Sequence, residues 1–97
     1  MAQEVIWTER ASDDLHHIFE NLSTFSDTRA ESVVGDIIER AFQLEQFPRM
    51  GRIVPELNIQ ALREIIVEQY RVVYALTSQG NVEILAVRHS ARPLPEL

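Results

Sequence analysis

The sequence contains no cysteine and no lysine, and only three of its 97 residues are glycine. Without cysteine the chain has no disulfide, no thiolate metal ligand and no cysteine nucleophile. The N-terminus also lacks the basic and apolar segments of a leader, and no apolar run approaches the roughly 18 residues of a membrane span. We therefore expect a cytoplasmic protein with no membrane partner.

Positive charge is scarce and unevenly placed. The net charge is −6, and all nine basic residues are arginine. Residues 1–47 carry ten acids against three arginines, whereas residues 48–97 carry five acids against six arginines. An acidic chain is disfavoured as a non-specific binder of nucleic acid, and arginine favours planar recognition of carboxylate or phosphate. The locally cationic second half is therefore where we look for a binding site.

The first half predicts a short strand and two helices. "QEVIW" alternates like a strand, and Thr8 is placed to cap a helix that starts at Glu9. Ser26 or Asp27 can cap a second helix, which we expect to end near Phe47. Two amphipathic helices joined by a short link pack most simply as an antiparallel hairpin. One domain, residues 1–97, is expected from this length.

The second half predicts an antiparallel sheet. A brief strand is expected around Arg52 to Val54, followed by three strands between Ala61 and His89. Two-residue turns at Glu68-Gln69 and Gln79-Gly80 set the register. The pairs are then Val67 with Tyr70, Ile65 with Val72, Arg63 with Tyr74, Ser78 with Asn81, Val87 with Val72, His89 with Tyr70 and Arg88 with Arg71.

This register assigns side chains to the two faces of the sheet. The face carrying Val67, Tyr70 and Val72 is apolar and should pack on the helices. The opposite face should leave Ile66 and Val73 exposed, and an apolar patch with a charged rim is typical of a protein interface. Arg71 and Arg88 face each other on that side. Either they bind an external anion, or Glu64 and Glu68 neutralise them internally.

Five segments together resemble a known family. They read "W-T-x-x-A-x-x-D-L-x-x-I", then a second helix, then "P-x-x-G-R-x-V-P-E", "R-E-x-x-V-x-x-Y-R-V-V-Y" and "V-E-I-L-x-V-x-H-x-x-R". In this order they resemble the ParE/RelE superfamily of toxins from bacterial type II toxin–antitoxin pairs. The resemblance implies an α+β fold, with an N-terminal strand and a helical hairpin packed on a three- to four-stranded antiparallel sheet. It also implies a cognate antitoxin.

The resemblance leaves two targets open. ParE-like members inhibit DNA gyrase by binding, whereas RelE-like members cleave mRNA on the ribosome. The acidic charge and the absence of an aromatic residue from "HSARPLPEL" favour gyrase and a protein without catalytic residues. In the alternative of a ribosome-dependent nuclease, the catalytic residues would be Arg63, Arg71, Arg88 and His89. A non-toxic member that only binds antitoxin is a third reading.

The candidate binding residues follow from these arguments. They are expected to contact the target or the antitoxin, and comprise Arg63, Ile66, Arg71, Val73, Arg88, His89 and Arg92. His89 shares the helix-facing side with Tyr70, which favours a partly buried structural role over proton transfer. Asp13 and His17 lie one helical turn apart without a third ligand, so no metal and no cofactor is expected.

Overall fold

Two helices pack on one face of a five-stranded sheet. The structure, a computed structural model, describes residue 2 and residues 4–91. Among these residues no helix is long and apolar enough to cross a lipid bilayer. In chain order the elements are β1 (Val5–Trp7), α1 (Glu9–Ser23), α2 (Asp27–Phe42), a short 3₁₀ helix (Gln43–Glu45), β2 (Arg52–Ile53), β3 (Leu62–Val67), β4 (Tyr70–Leu76) and β5 (Val82–His89).

Side-chain caps begin both helices where the sequence predicted. The Thr8 hydroxyl accepts a hydrogen bond from the Ala11 amide, and the Ser26 hydroxyl accepts one from the Arg29 amide, each at 3.2 Å. Each cap satisfies an amide that the first helical turn leaves without a partner, which stabilises a helix by about 1 kcal/mol. The second helix stops at Phe42, short of the predicted end, because the 3₁₀ helix tightens the chain there.

The sheet order is β1-β5-β4-β3-β2. The predicted N-terminal strand, helical hairpin and antiparallel strands are all present, including the brief strand at Arg52–Ile53. β1 pairs parallel to β5, so the sheet is mixed, whereas the other neighbours are antiparallel. A parallel pairing needs a long connection, and the chain from β1 to β5 runs through both helices and the strands β2 to β4.

The β3–β4 register agrees with the prediction throughout, from Val67 opposite Tyr70 to Arg63 opposite Tyr74. Glu68 in the intervening turn takes a positive φ of 56°. The strands β4 and β5 also pair as predicted at their far end, with Arg71 opposite Arg88 and Tyr70 opposite His89.

The turn before β5 was predicted incorrectly. Thr77 donates to the Asn81 carbonyl at 3.0 Å, so the loop has three residues rather than two and Ser78 does not pair with Asn81. Leu76 consequently pairs with Val82, one residue out of the predicted register. A bulge at Leu85, which has no partner on β4, then restores the register before Arg88.

The main core lies between the helices and the sheet face that the register predicted. Its fully buried members include Val33, Ile37, Val72, Tyr74 and Ile84. Burying one such side chain is worth about 1.5–3 kcal/mol, so this layer carries most of the driving force for folding.

The opposite sheet face is covered, which corrects the exposure predicted for Val73. Val54 and Leu57 lie in the segment between β2 and β3, and they pack against Val73 and Ala86 in a second apolar cluster. Val73 is fully buried there. Ile66 remains exposed, with 43% of its surface accessible, so the predicted patch is reduced to that residue.

Candidate functional site

A network of four charged side chains occupies the sheet face away from the helices. The Glu64 carboxylate is fully buried and lies between two arginines. Arg71 donates from Nε to Glu64 Oε1 at 2.8 Å, and Arg52 donates from Nε to Oε2 at 2.7 Å. Glu56 then closes the outer side, where its two oxygens accept from Arg71 Nη1 and Nη2, each at 2.7 Å. Both carboxylates are therefore satisfied by guanidinium groups.

The network shifts the protonation equilibria of its members. The hydrogen bonds from Arg71 lower the pKa of Glu56 from 4.5 to about 2. The contact with Glu56 raises the pKa of Arg71, burial of the guanidinium opposes that rise, and the hydrogen bond to Glu64 adds to it. Because four donor contacts already engage it, the Arg71 guanidinium has little capacity left for an external anion.

Of the two acidic partners predicted for Arg71, one is confirmed. Glu64 is confirmed, but Glu68 is not a partner, because it lies exposed in the β3–β4 turn. The second partner of Arg71 is instead Glu56, which lies in a segment whose sequence has neither the period of a strand nor that of a helix. Its pairing depends on the path of residues 54–60 over the sheet, which no local pattern encodes.

Arg63 is bound by backbone carbonyls. It lies opposite Tyr74, as predicted, on the row of β3 that faces the helices. Its guanidinium donates to the carbonyl oxygens of Gly51 at 3.0 Å, Gln60 at 3.2 Å and Arg49 at 3.4 Å. The geometry of these contacts holds the chain segments before and after β2 together.

Arg88 and His89 end the last strand. Within the described residues no carboxylate lies within 4.0 Å of the Arg88 guanidinium. His89 is half-buried, its ring stands edge-on to that of Tyr70 at a centroid distance of 5.7 Å, and its Nδ1 accepts from the Ala91 amide at 3.1 Å. A cleft of about 250 Å³ separates these residues from His17 on α1.

The four residues of the nuclease alternative do not converge. Arg71 is enclosed by Glu64 and Glu56 on the outer face, and Arg63 lies opposite Tyr74, four residues along β4 from the Tyr70–His89 pair. Of the four, Arg88 and His89 come together, at the cleft that faces α1. Arg92, the remaining predicted contact, lies outside the described residues.

Two apolar surfaces were missed by the sequence reading. One is a groove of about 420 Å³ between the helices, whose lining includes Trp7, Leu15, Phe19, Val34 and Ile38. The other is the turn after the 3₁₀ helix, where Phe47 and Met50 are exposed. The sequence reading assigned Leu15, Phe19, Val34 and Ile38 to the apolar faces of the helices. It placed Phe47 at the end of the second helix and Met50 in the connection after it, so it singled out neither surface.

The fold has close counterparts among solved structures. A structure titled "Chromosomal ParDE TA system from P. aeruginosa" superposes with a TM-score of 0.75 at 21% identity, covering 89% of this chain and 94% of that chain. The toxin–antitoxin complex RelBE2 from Mycobacterium tuberculosis gives a TM-score of 0.65 at 23% identity, covering 92% and 99%. At these identities the likeness establishes the fold, which is that of the ParE/RelE toxins.

Sequence comparison identifies the family. Residues 5–94 match the family described as "ParE toxin of type II toxin-antitoxin system, parDE". The chain is also 35% identical over 92 residues to Toxin RelE2 of Caulobacter vibrioides, covering 95% of this chain and 99% of that protein. The chain therefore belongs to the ParE toxin family, and it is a toxin of a type II toxin–antitoxin system.

Proposed function

We propose that this toxin acts by binding DNA gyrase, without hydrolytic chemistry, and that a cognate antitoxin neutralises it. The observation that supports this most directly is that Arg63, Arg71, Arg88 and His89 do not all meet at one place on the sheet. A phosphodiester cleavage site needs its acid, base and cationic groups within hydrogen-bond reach of one reacting phosphate. These four side chains do not offer that arrangement.

The state of the arginines supports the same proposal. Arg71 is enclosed by Glu56 and Glu64, and Arg63 donates to three backbone carbonyls. Both guanidinium groups therefore stabilise the fold. The net charge of −6 also opposes docking onto the dense phosphate of ribosomal RNA. Recognition of a protein target does not carry that electrostatic cost.

The antitoxin is proposed from the neighbours, since the two solved structures are described as a ParDE system and a RelBE2 complex. We propose that an apolar segment of the cognate antitoxin covers the exposed Ile66 on the outer sheet face. The apolar groove lined by Leu15, Phe19 and Ile38 is a second surface to which the same partner would bind.

A second candidate function is ribosome-dependent mRNA cleavage. One observation favours it: Arg88, His89, Tyr70 and His17 border a single polar cleft, which the Asp14 carboxylate also lines. An arginine without a carboxylate partner beside two imidazoles could contact a phosphate there. Only this cleft, rather than the full set of four sheet residues, would then carry the chemistry.

Expression of the chain without antitoxin distinguishes the candidates. Accumulation of gyrase-linked DNA breaks and loss of plasmid supercoiling are expected under the proposal. Message cuts at ribosomal A-site codons in the same cells would establish the nuclease instead. Normal growth with neither signal would identify a member that binds antitoxin but is not toxic. A strain carrying the antitoxin as well is the control, and it should suppress either signal.

A further inference from the structure

The turn from Phe47 to Met50 exposes apolar side chains on a supported backbone. Phe47 is 63% exposed and Met50 is 40% exposed, and with Pro48 and Arg49 they line an open cavity of about 450 Å³. Large apolar side chains in this position are costly in water and add nothing to the core. Phe25 and Phe42 are more exposed still, so exposure alone does not distinguish this turn; its supported backbone and its charge do.

Two side chains from beneath the turn fix its backbone. The hydroxyl of the fully buried Tyr74 donates to the Pro48 carbonyl at 2.8 Å and accepts from the Gly51 amide at 3.0 Å. Arg63 donates to the carbonyls of Gly51 and Arg49. A Cβ at Gly51 would lie 2.6 Å from both the Glu64 carbonyl and the Tyr74 hydroxyl, so only glycine permits this approach.

This support bears on binding because a preorganised loop loses little conformational freedom when a partner docks. The Gly51 amide and the carbonyls of Pro48, Arg49 and Gly51 are satisfied from within, while the side chains of Phe47 and Met50 are exposed. Interface hot spots have this form, with a rigid aromatic or aliphatic anchor and a nearby arginine.

The charge at the turn indicates what kind of partner fits. Residues 46–54 contain Arg49 and Arg52 and no acidic residue, within a chain of net charge −6. Arg52 is balanced by Glu64, whereas within the described part of the chain no carboxylate lies within 4.0 Å of the Arg49 guanidinium. The surface is thus an apolar centre beside an uncompensated cation. One such cation is too few for a nucleic acid, which needs several phosphate contacts.

We propose that the turn Phe47–Met50 is the surface that engages the target protein, through a target segment that pairs an acidic side chain with an apolar anchor. The proposal rests on the gyrase function proposed above and makes gyrase the occupant. Arg49 contacts the acidic side chain, and Phe47 and Met50 receive the apolar one. The helical groove proposed above for the antitoxin shares no lining residue with this turn, so the two proposed surfaces are separate.

The test compares two variants of the turn with two matched controls. Phe47→Ser and Arg49→Glu change the surface. Phe25→Ser and Arg29→Glu make the same replacements at exposed positions, Phe25 being 86% exposed between the helices. The purified full-length chains are titrated against the reconstituted gyrase holoenzyme and, separately, against the purified cognate antitoxin. Thermal melting and size-exclusion chromatography accompany each titration.

We expect Phe47→Ser and Arg49→Glu to weaken gyrase binding at least tenfold while antitoxin binding stays within twofold of the parent chain. Both controls should keep both affinities. Addition of salt should weaken the parent–gyrase complex and leave the Arg49→Glu complex less affected, because the exposed ion pair is screened.

Three results from the variants would overturn the proposal. The first is that the variants bind gyrase as tightly as the parent chain does. The second is that they lose antitoxin binding to the same extent as gyrase binding. The third is that they abolish a dimer formed by the parent chain, which would make the occupant a second copy. If the parent chain itself fails to bind gyrase, the proposed function fails and the target surface fails with it. That outcome is read from the parent alone, so the two failures are distinguishable.

Discussion

Replacement of Arg71 by methionine tests the charged network directly. Methionine keeps the aliphatic length of the side chain but removes the guanidinium that contacts Glu64 and Glu56. Glu64 is fully buried and would retain only Arg52, whose side chain is mostly exposed. The substitution therefore leaves a buried carboxylate with one partner near solvent in place of two.

The expected cost is about 3 kcal/mol. Removal of one partner from a buried ion pair costs about 3–5 kcal/mol, and the surviving Arg52 contact places this case at the lower end. A domain of this size has about 5–10 kcal/mol of total stability, so the variant would fold but with a narrow margin. With a urea m-value of about 1.5 kcal/mol/M, the unfolding midpoint would fall by about 2 M.

Arg88→Met is the matched control, because Arg88 lies directly opposite Arg71 on the same face and within the described residues has no carboxylate within 4.0 Å. We expect it to change the free energy of unfolding by less than about 0.5 kcal/mol. Urea denaturation followed by circular dichroism measures both variants, with m-values compared to confirm a common unfolded state.

A double variant separates the loss of attraction from the cost of a buried charge. Glu64→Leu combined with Arg71→Met removes both buried ions, and such replacements are often neutral or stabilising. The pair should therefore recover most of the stability lost in Arg71→Met. If Arg71→Met costs no more than Arg88→Met, or if the double variant is less stable than the single one, the network does not contribute as described.

The remaining predictions concern the turn, the acid limb of stability and the antitoxin. Tyr74→Phe should lower the free energy of unfolding by about 2 kcal/mol, because it leaves the buried Gly51 amide without an acceptor. Tyr70→Phe is the control, and equal urea midpoints for the two variants would contradict this reasoning. The pKa of Glu56 lies at about 2 against an ordinary 4.5, so its contribution is present above about pH 4.5 and is lost as the pH falls towards 2. Glu56→Gln should flatten the fall in midpoint over that window, and an unchanged pH profile would exclude the carboxylate. Ile66→Asp should weaken antitoxin binding in calorimetry with no loss of fold, and an unchanged affinity would place the antitoxin elsewhere.

Local pattern was sufficient for the helices and the first hairpin. Thr8 and Ser26 cap the helices because a hydroxyl at that position can reach the third amide beyond it, whatever the rest of the chain does. The pairing of Val67 with Tyr70 likewise follows from a turn of two residues and a face that must be buried.

The register of β5 was predicted correctly at Arg88 for a reason that the sequence did not show. The loop after β4 holds one residue more than assumed, and the bulge at Leu85 takes up one residue in compensation. Burial of Val72 and Val87 on one face requires the restored register, since a slip of one residue would expose them.

The sequence by itself determined the elements, the helix-facing side of the sheet and the concentration of arginine in the second half. The tertiary structure alone decided how those arginines are used. Residues 54–60 have no periodic pattern, so their path over the sheet depends on the packing of Val54 and Leu57 against Val73. That path brings Glu56 into contact with Arg71. It also buries Val73, which the alternation of side chains along the strand had predicted to be exposed. Contacts between segments distant in sequence form only when the whole chain has collapsed, and therefore no local pattern could assign them.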